Sequence, residues 1–112
     1  MKLFNATQNK LISEDVRVAG SFFQRFLGLM FRLHMRNKEV LVFYKAPSIH
    51  MFFMRFAIDV VFLNKDMRVI KVVRSLKPWY ITYCTKSYCT LEMSANSAEN
   101  NLRLGDLLEI SN

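Results

Sequence analysis

The sequence predicts a mainly β fold: a small antiparallel β-barrel or sandwich carrying one packed α-helix, with an α+β arrangement as the alternative. Three observations predict it. Short runs rich in β-branched and aromatic residues, such as Val40–Tyr44 and Ile58–Leu63, recur between breaks that contain Asn, Asp or Pro. Only one segment, Gly20 to Phe31, carries a clear helical period. The chain is 112 residues long, 52% hydrophobic and 13% aromatic, which is enough for one core and too apolar for a disordered chain.

Lys10 to Val18 reads as a strand or strand pair, with Glu14-Asp15 marking a turn within it. In the helical segment, Ser21 is a good N-cap and Gln24 follows three residues later, as a capping box requires. Phe22, Phe23, Phe26, Leu27 and Met30 then form one apolar stripe. An isolated helix of this length is marginal in water, so the stripe is expected to pack on a sheet. His34 to Glu39 is polar and reads as a loop before the strand Val40–Tyr44.

Pro47 interrupts the β pattern because it cannot donate to a ladder. His50 to Phe56 suits a further strand. Ile58–Leu63 and Met67–Arg74 form a hairpin around Asn64-Lys65-Asp66. Both faces of Ile58–Leu63 are mostly apolar, which predicts a central strand covered on both sides. After the Lys77-Pro78 break, Trp79–Cys84 and Tyr88–Met93 read as two β runs across a short turn. Ala95–Asn101 is an Asn-rich turn or short helix, and Gly105-Asp106 precedes a last strand, Leu107–Ile110. Residues 1–112 are read as a single globular domain.

No apolar run approaches the roughly 18 residues that span a bilayer, and the N-terminus has no continuous apolar stretch or small-residue cleavage site. A cytoplasmic protein with no membrane association is expected, with Cys84 and Cys89 as reduced thiols; a tight hairpin would let the two approach each other, and the sequence leaves open whether they do. The net charge is +7, and it is uneven. From Arg17 to Lys86 the chain carries 13 Lys or Arg against three acids, whereas the ends carry three basic and six acidic residues. Such a basic middle offers a surface for nucleic acid or a small anion, unless the acidic ends fold back onto it.

Several segments in order resemble the family called domain of unknown function 192. They are Arg25-x-x-Gly28-Leu29-Met30-x-Arg32, Leu41-x-Phe43, His50-Met51-Phe52-Phe53-Met54, Ile58-Asp59-Val60-Val61-Phe62-Leu63, Val69, Leu91-Glu92 and Gly105-Asp106. The resemblance implies a compact β fold with a helix and supplies no chemistry. Similar members usually carry glycine in three loops that here read Asn37-Lys38-Glu39, Asn64-Lys65-Asp66 and Ser94-Ala95-Asn96. Asn tolerates the left-handed backbone that glycine favours.

Arg25, Gly28 and Arg32 are spaced to share a helix face, where two guanidiniums beside a glycine suit a phosphate or carboxylate. The competing reading is close helix–sheet packing at Gly28, with each Arg in a structural contact. Asp59 is an acid inside an apolar strand and needs hydrogen bonds or a cation; Arg25, Arg32 and Arg55 are the candidate partners. His50, Arg55 and Asp59 form a candidate pocket, with His50 available for proton transfer. Phe52, Phe53, Phe56, Trp79, Tyr80 and Tyr83 lie among basic residues and suit base stacking if exposed, or a core if buried.

No nucleophile, phosphate-loop or dinucleotide motif is present, Cys84 and Cys89 lack zinc spacing, and no cofactor is expected. The favoured reading is a monomeric, non-enzymatic binding domain with a basic surface for a small anion or nucleic acid. Alternatives are an accessory domain acting through a protein partner, and a small-pocket enzyme using Asp59 and His50.

Overall fold

The computed structural model describes residues 1–19, 35–45, 48–50 and 55–112, residues 48–50 by their backbone alone. The expected helix at Gly20 to Phe31 lies outside the described residues. Ten strands make up the rest: β1 Lys2–Asn5, β2 Lys10–Ser13, β3 Val16–Val18, β4 Val40–Tyr44, β5 Ser48–His50, β6 Ile58–Leu63, β7 Val69–Leu76, β8 Ile81–Tyr83, β9 Cys89–Ser94 and β10 Leu108–Ser111. The fold is mainly β, and the described residues contain no helix.

The strands form sheets ordered β10-β1-β2, β3-β4-β9-β6-β7 and β5-β8. The five-stranded sheet does not close on itself, so the barrel expectation gives way to an open sheet packed by a smaller one. One pair also departs from the antiparallel expectation. β3 runs parallel to β4, with Val16, Arg17 and Val18 opposite Val40, Leu41 and Val42. The predicted Ile58–Leu63 hairpin forms as β6 and β7, and β6 is an interior strand with all six residues buried.

Strand alternation sorts the side chains of the five-stranded sheet onto two faces. On one face Val40, Val42, Val61, Leu63, Leu91 and Met93 pack with Leu3, Ile12 and Leu108 from the three-stranded sheet. On the other, Leu41, Phe43, Ile58, Val60 and Phe62 pack with Met35 and Leu76. Two apolar faces explain why β6 is apolar at every position but Asp59, since neither side of that strand meets solvent.

β8 and β9 do not pair with each other, contrary to the sequence reading. β8 pairs with β5, whereas β9 pairs with β4 and β6. Cys89 consequently packs in the first cluster and Cys84 against the second, and both thiols are free. Burial pushes the Cys89 thiol up to about 12, leaving it protonated at neutral pH.

All three loops in which family members usually carry glycine turn through the left-handed region or lead directly into it. Lys38 has φ 63°, Met67 has φ 62° and Asn96 has φ 70°. In the first two the residue that bends is not the Asn. Asn64 instead accepts the amides of Asp66 and Arg68 at 3.0 Å through Oδ1, and its carbonyl accepts Met67 N–H at 2.9 Å. The Asn side chain thus organises a turn whose unfavourable dihedral falls three residues later.

Candidate functional site

The segment after β7 is built to expose aromatic rings. Pro78 fixes φ at the second position of a turn closed by Tyr80 N–H on the Lys77 carbonyl at 3.2 Å. Trp79 occupies the third position with φ 71°, the geometry of a type II turn, where glycine is the usual residue. β8 then alternates: Thr82 is buried, and Ile81 and Tyr83 point outward. Trp79, Tyr80, Ile81 and Tyr83 are 58%, 60%, 62% and 64% exposed, whereas large apolar residues elsewhere in the sheets are mostly buried.

Cations frame these rings. The Lys71 ammonium donates to the Tyr83 carbonyl at 2.8 Å and lies 5.5 Å from the centre of the Tyr83 ring and 5.8 Å from that of Phe62. Lys77 and Lys86 are exposed at either end of the segment. Between Asp66 and Glu92 the sequence contains no acid, but it has Arg68, Lys71, Arg74, Lys77 and Lys86. Among the described residues, Asp15 of the acidic N-terminal end pairs with Arg36 and Glu99 of the C-terminal end with Arg74. Neither pair involves these lysines.

Of the residues singled out in the sequence, Arg25, Gly28 and Arg32 lie outside the described residues, as does the side chain of His50. The His50 backbone pairs with Ile81 in the β5–β8 sheet. Arg55 is exposed. Asp59 is fully buried, and among the described residues two backbone amides hold it. Its Oδ1 accepts the Ser75 amide at 2.8 Å and its Oδ2 accepts the Ala98 amide at 2.9 Å. The register of β6 and β7 slips beside it, so Arg74 and Ser75 sit opposite one residue, and Ser75 takes φ 53°. A β-bulge leaves an amide out of the ladder, and Asp59 supplies its acceptor. Asp59 points to the face that carries Met93 and Ala98, whereas Tyr83 on β8 is tied through Lys71 to Phe62 on the other face.

Three further buried acids, Glu39, Glu92 and Asp106, escaped the sequence reading. Glu39 is fully buried, with Oε2 2.8 Å from the Arg17 guanidinium and Oε1 accepting the Arg36 amide at 2.9 Å. Asp106 Oδ2 accepts from Asn5 at 2.8 Å and from Gln8 and the Arg103 amide at 2.9 Å, tying β1 to the turn before β10. Burial pushes the Asp106 carboxyl up, but hydrogen bonds from Asn5, Arg103 and Gln8, together with the Arg103 charge, outweigh burial and hold it below the usual carboxylate range. Gly105-Asp106 was the available signal for this site, since a short acid after glycine favours a turn.

Asp106 gives the fold a defined acid sensitivity. A carboxyl whose pKa is lowered by folding contributes stability above its unfolded pKa and loses it as pH falls through the folded value. Thermal melts from pH 7 down to pH 3 should therefore fall more steeply for the wild type than for Asp106→Asn, which starts lower. Parallel curves would show that Asp106 contributes no acid sensitivity.

The DUF192 family model, described as uncharacterised ACR, matches residues 3–110. The chain belongs to this family. A UPF0127 protein of Pyrococcus furiosus is 43% identical over 83 residues, covering 69% of this chain and 68% of that protein. A UPF0127 protein of Pyrococcus horikoshii is 41% identical over 85 residues, covering 70% of each. A Novosphingobium aromaticivorans protein of unknown function has a similar structure, with a TM-score of 0.80 at 19% identity, covering 97% of this chain and 82% of that one. A Sinorhizobium meliloti protein provisionally described as a transcription regulator superposes with a TM-score of 0.79 at 23% identity, covering 96% and 89%. These two likenesses establish the family fold and nothing about ligands. No helix among the described residues is long and apolar enough to cross a membrane.

Proposed function

We propose that this DUF192 domain is a binding module that holds single-stranded nucleic acid on the aromatic segment following β7. The reading rests on one observation: Trp79, Tyr80 and Tyr83 stand exposed in a stretch that carries five basic residues and no acid. Bases stack on exposed rings regardless of sequence, and ammonium groups at the flanks neutralise the phosphates between them. Lys71 contributes twice, by holding the Tyr83 backbone and by placing positive charge near the ring. The strained turn at Trp79 adds support, because a non-glycine residue in that conformation keeps a large ring outward at an energetic cost.

Trp79 is the only tryptophan, so its fluorescence reports directly on stacking. Titration with a mixed-sequence single-stranded RNA should quench it saturably at low salt. The affinity should fall with a log–log salt slope of about −2 if roughly three phosphates are neutralised. No quenching at low salt would overturn the reading. In that case Ile81, exposed at 62% beside the rings, favours an accessory domain that docks a protein partner.

A further inference from the structure

We infer that a second site, separate from the aromatic segment, binds a small phosphorylated polyol in the cleft between β2 and the Ser94–Asn101 turn. The cleft has a volume of about 370 Å³, within the range of small-molecule sites. Its floor is apolar, from Ile12 and Met93, both buried. Its walls carry two ammonium groups, Lys10 and Lys38, with the carboxamides of Asn37, Asn96 and Asn101 and the hydroxyls of Ser13, Ser94 and Ser97. Among the described residues, no carboxylate and no aromatic ring lines it.

That composition selects a ligand class. Two cations favour an anion, since the nearest acids, Glu14 and Asp15 on the adjoining surface, are paired with Lys2 and Arg36, and an ammonium is a compact point charge suited to phosphate. Amides and hydroxyls both donate and accept, as alcohol groups require. The lack of a ring to stack on disfavours a nucleobase, which separates this cleft from the Trp79 segment.

The walls are held in place by the protein itself. Ser94 and Ser97 share a hydrogen bond at 2.5 Å, Asn101 Nδ2 donates to the Ser97 carbonyl at 2.5 Å, and the Ser13 hydroxyl donates to the Lys38 carbonyl. Lys10 uses one of its three donors on the Asn100 carbonyl at 3.0 Å, leaving two. The side chains of Asn37 and Lys38 have no hydrogen-bond partner among the described residues. Two lining residues, Lys38 and Asn96, hold left-handed dihedrals, strain of the kind that collects at ligand sites.

Lys38→Gly gives a clean test. It removes the charge, yet glycine relaxes the left-handed dihedral, so the fold should keep its melting temperature. Isotope-labelled protein titrated with glucose 6-phosphate should show saturable shifts at the amides of Ile12, Ser13, Lys38, Ala95 and Asn96. Lys38→Gly should weaken binding on the order of tenfold, as loss of a charged contact does, and Trp79→Gly should leave it unchanged. Glucose alone should bind far more weakly. No shifts at about 10 mM glucose 6-phosphate, or equal affinity in Lys38→Gly, would overturn the site. Equal affinity for inorganic phosphate would overturn the polyol assignment. Loss of RNA quenching at Trp79 would leave these outcomes untouched, so the two readings fail separately.

Discussion

Replacing Asp59 with alanine should cost about 3–5 kcal/mol of folding stability, with a melting temperature lower by roughly 10–20 °C. The carboxylate is fully buried and accepts two backbone amides, Ser75 at 2.8 Å and Ala98 at 2.9 Å. Alanine leaves both amides without an acceptor, and Ala98 itself is 2% exposed, so water does not readily replace the lost oxygen. Each hydrogen bond to a charged group contributes about 1.5–3 kcal/mol. Against a total stability of about 5–15 kcal/mol, losing two such bonds is a large fraction.

Asp59→Asn should cost roughly half as much, because its one oxygen still accepts one amide while its amino group opposes the other. Urea unfolding of the three proteins measures the series. Hydrogen exchange should accelerate at Ser75 and Ala98 specifically, since those protons lose their acceptor. An alanine variant within about 1 kcal/mol of wild type would mean that the bulge and turn find other partners.

Trp79→Gly should separate binding from stability. A stacked ring contributes about 1–3 kcal/mol per base, so affinity for single-stranded RNA should fall roughly 5- to 150-fold. Stability should change by no more than about 1 kcal/mol, because the ring is more than half exposed and glycine suits the left-handed third position of the turn. Tyr83→Ala should weaken binding in the same range, and the double variant should lose more than either alone. Fluorescence anisotropy with labelled RNA, needed once Trp79 is gone, measures all three proteins at one salt concentration. Unchanged affinity in the double variant would remove the aromatic segment from the interface.

Local pattern was enough for most of the strands. β4 has the bounds read from Val40–Tyr44, and β6 those read from Ile58–Leu63, because short, mostly apolar runs rich in β-branched and aromatic residues have few other stable arrangements. The hairpin between β6 and β7 was legible from Asn64-Lys65-Asp66. Family membership followed from ordered segments across the chain and holds over residues 3–110. Lys2–Asn5 gave no such signal, since a strand of four residues with one buried apolar side chain has too little period to read.

Pairing was not local, and the sequence misled there. Trp79–Cys84 and Tyr88–Met93 resemble the two arms of a hairpin, yet β8 joins β5, and β9 inserts between β4 and β6. Hydrophobic pattern identifies a strand but not its neighbour, which is chosen by how whole faces pack. The same limit governed the site. Asp59 was conspicuous as an acid in an apolar run, but which partner satisfies it depended on a bulge in β7 and a turn 39 residues away in sequence. Exposure of Trp79, Tyr80 and Tyr83 was equally undecided, since the same rings suit a core or a surface. The sequence by itself determined the β class, the family and the basic middle of the chain, because composition and strand period are local properties. The tertiary structure decided which acids became buried acceptors and which rings faced solvent, because burial and hydrogen-bond partnership come from segments meeting across sheets.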